Sequence, residues 1–147
     1  MNARWGTCLY KTFALMGMGF MLAACASAPT TVPSNVVVGS MPTAWPTPPV
    51  LPNEAPPRIV AMRFSSLDVQ RGQTWRANFV VSTNTAAMEV RTNLFAINVP
   101  RTAPGRFAFT LDIFDAPPIF LRAYRLRVIA RNAAAVATEE NAPFRIR

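Results

Sequence analysis

From residue 58 onward, apolar and polar side chains alternate almost without a break. Val60, Met62 and Phe64 are separated by Ala61 and Arg63; Trp75, Ala77, Phe79 and Val81 by Arg76, Asn78 and Val80; Met88 and Val90 by Glu89. The same beat returns in Phe107, Phe109, Leu111 and Ile113, in Tyr124, Leu126, Val128 and Ala130, and in Phe144 and Ile146. A period of two sends successive side chains to opposite faces of a strand, so this is the pattern of half-buried antiparallel strands. No stretch carries a 3.6-residue stripe, and the alanine-rich run from Asn132 to Asn141 lies between two strong strand patterns. Arg71-Gly72-Gln73, Pro104-Gly105 and Asp115-Ala-Pro-Pro118 supply turn residues between the runs. An all-β sandwich of about seven strands is expected, because two apolar sheet faces of this size must cover each other. Its core should gather Trp75, Phe79, Phe107, Phe109, Tyr124, Leu126 and Val128.

Upstream the alternation stops. Residues 26–57 hold nine prolines in 32 positions and one charge, Glu54. Proline fixes its own φ and pushes the preceding residue to extended geometry, so helix is excluded and sheet pairing is poor. A disordered, proline-rich tether is expected, with Val36-Val-Val38 the one stretch able to pair as a short strand. Fully extended it would reach on the order of 100 Å. Trp45 and Pro49-Val-Leu-Pro52 would suit a proline-binding groove on another protein; the plainer reading is a spacer.

The first 25 residues have a third character. Arg4 and Lys11 give a short basic region, and Phe13 to Ala24 follow as twelve uncharged residues. A bilayer core needs roughly 20 apolar residues in helix, so this run is too short to span. It suits the apolar part of a secretory signal. Leu22-Ala23-Ala24-Cys25 then resembles the lipobox of bacterial lipoproteins. The resemblance implies cleavage just before Cys25, a diacylglycerol on its thiol and often acylation of the new amine. It divides the chain into a signal peptide (1–24), a lipidated cysteine with its linker (25–57) and a globular domain (58–147). An ordinary signal peptide cut near Ala26 or Ala28 is the alternative.

Cysteine use agrees with lipidation: Cys8 would be discarded and Cys25 capped, leaving the mature domain without thiol or disulfide. At ~0.8 kcal/mol per buried CH₂, a multiply acylated cysteine anchors a protein to a membrane without spanning it. Ala26 stands where some lipoproteins carry an aspartate that retains them in the inner membrane. By resemblance to that sorting rule, the outer membrane or cell surface is the expected location.

Within the globular part, Tyr124-Arg-Leu-Arg-Val-Ile-Ala-Arg-Asn132 resembles the penultimate strand of immunoglobulin-like and fibronectin type III domains. A tyrosine leads alternating apolar residues, then alanine and asparagine, a loop and a last strand. The early strand, Val69-Gln-Arg-Gly72-Gln and the strand of Trp75 resemble the lead-in of the same families. The resemblance implies an immunoglobulin-like antiparallel β-sandwich and makes Tyr124 the corner tyrosine, whose hydroxyl bonds a nearby backbone group. Two departures stand out. There is no cysteine pair between the sheets, and Ala133-Ala-Ala135 occupies the place of the usual glycine.

Composition narrows the chemistry. The 147 residues include no histidine, and Lys11 is the only lysine. Ser-His and Cys-His nucleophile systems therefore cannot be assembled in the mature chain. Asp112 with Asp115, and Glu139 with Glu140, are the remaining carboxylate pairs, read as solvated loop residues rather than a glycosidase pair flanking a cleft. Calcium would need six to eight oxygens, and Asp68, Asp112, Asp115, Glu139 and Glu140 would have to converge from separate loops. No enzyme activity, metal or other cofactor is expected.

Arginine is the more informative signal. Residues 58–147 carry thirteen arginines and six acids, a net +7. Alternation places Arg125, Arg127 and Arg131 on the outward face of one strand, Arg145 and Arg147 on that of the last, and Arg91 with Glu89 on a neighbour. Arginine forks match phosphate and carboxylate groups, so this face is the candidate surface for an anionic envelope polymer, a lipid headgroup or an acidic protein. The plainer reading is a solvated face in a chain that uses arginine in place of lysine. Nucleic acid is not expected, since the chain is exported, offers no helix for a groove and interleaves no aromatics with these arginines. The leading expectation is a lipid-anchored binding or structural module of the envelope. The alternative is an accessory or regulatory subunit of an envelope complex that docks through its sandwich.

Overall fold

The computed structural model describes residues 31–113 and 118–147, Ile119 by its backbone alone. Ten strands run through them: β1 (Val36–Val38), β2 (Ile59–Phe64), β3 (Asp68–Val69), β4 (Thr74–Val81), β5 (Thr85–Arg91), β6 (Ala96–Asn98), β7 (Arg101–Ala103), β8 (Arg106–Asp112), β9 (Ala123–Asn132) and β10 (Ala137–Ile146). One 3₁₀ turn, Pro118–Phe120, precedes β9. The first sheet has the order β1-β2-β4-β8-β7 and the second β3-β10-β9-β5-β6. The chain crosses between sheets after β2, β3, β4, β6 and β8, which is the immunoglobulin-like arrangement. The count exceeds the expected seven because β1, β3, β6 and β7 are edge strands of two or three residues. Such pieces are too short to show a period.

The core forms as the alternation requires. Trp75, Phe79, Phe107, Phe109, Tyr124, Leu126 and Val128 are buried in one cluster. Trp75 is its centre: ring centroids lie 5.9 Å from Phe64, 5.0 Å from Phe109 and 4.5 Å from Phe144, the last belonging to the opposite sheet. Its indole N–H donates to the Ser66 carbonyl at 2.9 Å. One register differs from the sequence pattern. A bulge between Ile59 and Ala61 in the pairing of β2 with β4 buries Ile59 and leaves Val60 half-exposed. The extra residue shifts which side chains face inward, and no alternation rule registers that.

Tyr124 is the corner tyrosine. Its hydroxyl donates to the Phe120 carbonyl at 2.7 Å, closing the turn that feeds β9. Tyr124→Phe is expected to cost about 1 kcal/mol, the usual net worth of one such bond, read from the urea midpoint. The final hairpin closes without glycine. Asn132 accepts from Ala135 N through its carbonyl and from Val136 N through its side chain, and Ala135 takes φ 62°. The asparagine clamp holds an alanine in the left-handed region, where glycine would carry no penalty.

The proline-rich segment departs most from expectation. Residues 31–57 form a strap laid on the sandwich, not a disordered tether. Strand β1 pairs in parallel with β2, Val36 opposite Met62 and Val38 opposite Phe64. The strap then crosses the outer face of the first sheet, where Trp45 lines a hollow with Asn78, Arg106 and Ala108, and Arg106 donates to the Pro46 carbonyl at 3.4 Å. Val80 points outward from β4 yet is 1% exposed. Thr83 N donates to Pro49 O at 3.0 Å. Asn84 Nδ2 donates to Pro52 O and Ala55 O, both at 2.8 Å, and Asn132 Nδ2 to Asn53 O and Ala55 O at 2.9 and 3.0 Å. Thr138 Oγ1 donates to Pro57 O. Proline brings no N–H, so docking this segment leaves few donors to satisfy, while its carbonyls accept from side-chain amides.

Candidate functional site

Strand β9 is central in the second sheet, between β10 and β5, and its odd-numbered residues face away from the core. Register then fixes the neighbours. Arg127 lies between Arg91 and Asn141, Ile129 between Glu89 and Glu139, and Arg131 between Ala87 and Ala137. Arg125 lies beside Pro143, and Arg145 beside Ala123 and Asp68. The candidate arginines thus share one exposed sheet face. Ile129 sits among them and is only 4% exposed. Flanking carboxylates and the aliphatic stems of arginines suit such a position, because arginine buries its stem while its head stays wet.

Acids have been placed among these cations. Arg127 forms a two-pronged pair with Glu139, at 2.8 and 2.6 Å. Glu89 receives both Arg91 and Arg131 at 3.1 Å. Arg147, just beyond β10, pairs with Asp68 at 2.5 Å. The Arg127 fork holds the Glu139 carboxyl below its ordinary range by hydrogen bonding, and the same bond raises Arg127. Glu139 belongs to β10, not to a loop as its sequence neighbourhood suggests. Near this end of the sandwich β10 has little core to cover, so Ala137 to Asn141 carry no apolar alternation.

Two of the six candidate arginines, Arg125 and Arg145, form no ion pair with the described residues. They are diagonal neighbours across β9 and β10, a spacing of about 7–8 Å between such positions. Arg122, 5.5 Å from the Tyr124 ring centroid, stands close by in sequence. Beside Arg125 opens a hollow of about 350 Å³ lined by Thr92, Asn93, Tyr124 and Arg127 among others. The sequence pattern grouped six arginines; the ion pairs divide them into four that share three carboxylates and two that are free.

The remaining candidates do not converge. Asp112 accepts from Thr74 Oγ1 at 2.7 Å, and Asp68 and Glu139 are engaged by arginines. Among the described residues no three His, Cys, Asp or Glu side chains gather as a metal site. Asp115, Leu22, Ala23, Ala24 and Cys25 lie outside the described residues. Trp45 is turned onto its own domain, and its indole N–H has no acceptor among the described residues.

No protein-family model matches the sequence. No curated protein matches it either. Among solved structures, the fibronectin(III)-like modules of Clostridium thermocellum CbhA are similar at 17% identity and a TM-score of 0.43, over 58% of this chain and 93% of that one. The superoxide reductase (neelaredoxin) of Ignicoccus hospitalis is similar at 14% identity and a TM-score of 0.39, over 63% of this chain and 81% of that one. Likenesses this distant carry no argument about function, and the immunoglobulin-like architecture rests on the strand order itself.

Proposed function

We propose that this chain is a lipid-anchored envelope protein whose sandwich is a non-catalytic binding module, with an anion-recognising patch at Arg125 and Arg145. The observation that carries the reading is the division of the arginine face. Glu89, Glu139 and Asp68 pair with four cations, Glu89 shared between two of them, and leave Arg125 and Arg145, diagonal neighbours, to meet an outside phosphate or carboxylate. The anchor rests on Leu22-Ala23-Ala24-Cys25, and Cys25→Ser is expected to abolish membrane retention while the domain stays folded. Mass spectrometry of the native protein is the direct check; an unmodified N-terminus at Ala26 or beyond would overturn the anchor.

The patch is tested in the soluble Cys25→Ser background. Vesicles containing phosphatidylglycerol supply phosphate, and a polyuronate supplies carboxylate. Arg125→Ser combined with Arg145→Ser should weaken binding tenfold or more, at about 1 kcal/mol per cation near an anionic surface. Arg131→Ser should change it little, because Arg131 is already paired with Glu89. Salt should weaken wild-type binding steeply, since exposed charges are screened over ~8 Å at physiological ionic strength. Stability of the double variant should fall by less than about 1 kcal/mol. Binding indifferent to both salt and the double substitution would exclude electrostatic recognition.

A further inference from the structure

Strand β10 is ten residues long, and β9 pairs with it from Ala137 to Arg145. On its other flank β3 covers only Arg145 and Ile146. The direction of each backbone group follows from bonds at the two ends. Ile146 N donates to Arg122 O, and Asn132 N donates to Val136 O, so even-numbered residues of β10 bond the β9 side. Arg145 N donates to Leu67 O and Arg147 N to Val69 O, so odd-numbered residues face the other flank. The N–H groups of Ala137, Glu139 and Asn141 therefore point outward in the lane that β3 occupies farther along, and none has a partner among the described residues. Pro143, with no N–H to offer, stands where the vacant stretch meets β3.

This vacant lane borders a cleft. Pro33, Ser34, Asn35 and Arg58 from the first sheet's side, with Thr138 and Glu140 from β10, line a space of about 560 Å³. Glu140 is half-buried, on the core-facing side of β10, and it makes no ion pair among the described residues. Native sheets blunt their edges with short strands, proline or charge, and β1, β3, β6 and β7 follow that practice. The flank of β10 from Ala137 to Asn141 is longer and holds no proline; its charges are Glu139, already paired with Arg127, and Glu140.

We propose that this flank is a docking site for an extended peptide segment of a partner protein, added as a strand end to end with β3. Backbone bonds to Ala137, Glu139 and Asn141 hold it. An alternate side chain that is basic enters the cleft to meet the Glu140 carboxylate, because strand addition takes affinity from the main chain and selectivity from every second side chain. The site is separate from the arginine patch, which lies on the outward face of the same sheet.

The test uses amide hydrogen exchange in the full chain with two synthetic peptides, Thr-Val-Thr-Lys-Thr-Val-Thr and the same peptide with threonine for lysine. The lysine peptide should slow exchange at Ala137, Glu139 and Asn141 at least tenfold, leaving Thr138, Glu140 and Ala142 at their existing protection. Asn141→Pro should abolish the effect and Asn141→Ala should keep it; the even-numbered amides report in both that the β9 pairing is intact. Glu140→Gln should reduce the preference for lysine by about three- to fivefold, the range of a partly exposed ion pair. Absence of slowing at millimolar peptide would overturn the proposal. So would protection already present in the protein alone: if it grows with protein concentration the occupant is a second copy, and if it does not the flank is filled from within the chain.

Discussion

Trp75→Ala is expected to cost the domain about 3–5 kcal/mol, the usual range for deleting a buried aromatic side chain. The indole is fully buried and touches rings from both sheets, so its loss opens a cavity where neither sheet can close inward without the other. The same change leaves the Ser66 carbonyl without its donor, adding roughly 1 kcal/mol. Since small domains hold only about 5–15 kcal/mol in total, the variant should be marginal at room temperature. Phe109→Ala should fall at the lower end of the range, because Phe109 keeps 8% exposure at the side of the cluster. Urea unfolding measures both: the midpoint should drop with an unchanged slope. A loss below about 1.5 kcal/mol for Trp75 would mean that the sheets are not packed through that ring.

The second large effect is expected at the strap. Gly105 has φ +68°, and a Cβ there would overlap the Pro48 ring and lie 2.6 Å from the Val81 carbonyl oxygen. Gly105→Ala adds a left-handed penalty of about 1–2 kcal/mol and forces Pro48 off the β7–β8 turn. The sandwich should stay folded while the strap lifts. Elastase cleavage after Ala44 and Val50, neither of which is followed by proline, should then accelerate at least tenfold, since cleavage tracks the population of the open form. Gly39→Ala supplies the comparison: φ is also positive at +101°, but nothing lies within 4 Å, so strain comes without eviction. Equal cleavage in wild type and Gly105→Ala would show that the strap is not held at Pro48.

The strands were legible because one face of each must be apolar, and Trp75, Phe107, Phe109, Tyr124 and Leu126 report that demand directly. The corner bond of Tyr124 was legible as well, through a local motif whose donor and acceptor are four residues apart. What escaped had no local signal. The strap is held by Asn84 and Asn132, tens of residues from the carbonyls they bind, and the composition of a proline-rich stretch does not tell whether amides elsewhere are free to hold it. The arginine face was visible, but its neutralisation was not. Glu139 reaches Arg127 only because β10 begins at Ala137, inside a run whose alanines and acids hide the strand. The bulge at Ile59 likewise depends on pairing with β4, which the sequence of β2 alone does not contain.

Under the anchor proposed at Cys25, stitching the strap changes the volume in which this protein would search. Had all 32 linker residues been free, a protein held at Cys25 would explore a hemisphere on the order of 100 Å in radius. With residues 31–57 fastened to the sandwich, only residues 26–30 separate Cys25 from the stitched chain, a contour of about 20 Å at most. The accessible volume shrinks with the cube of that length, by on the order of a hundredfold, and the local concentration toward anything in the same leaflet rises in proportion. Anchored as proposed, such a domain would suit partners on the same membrane surface, and it would reach a second layer only if the strap were released.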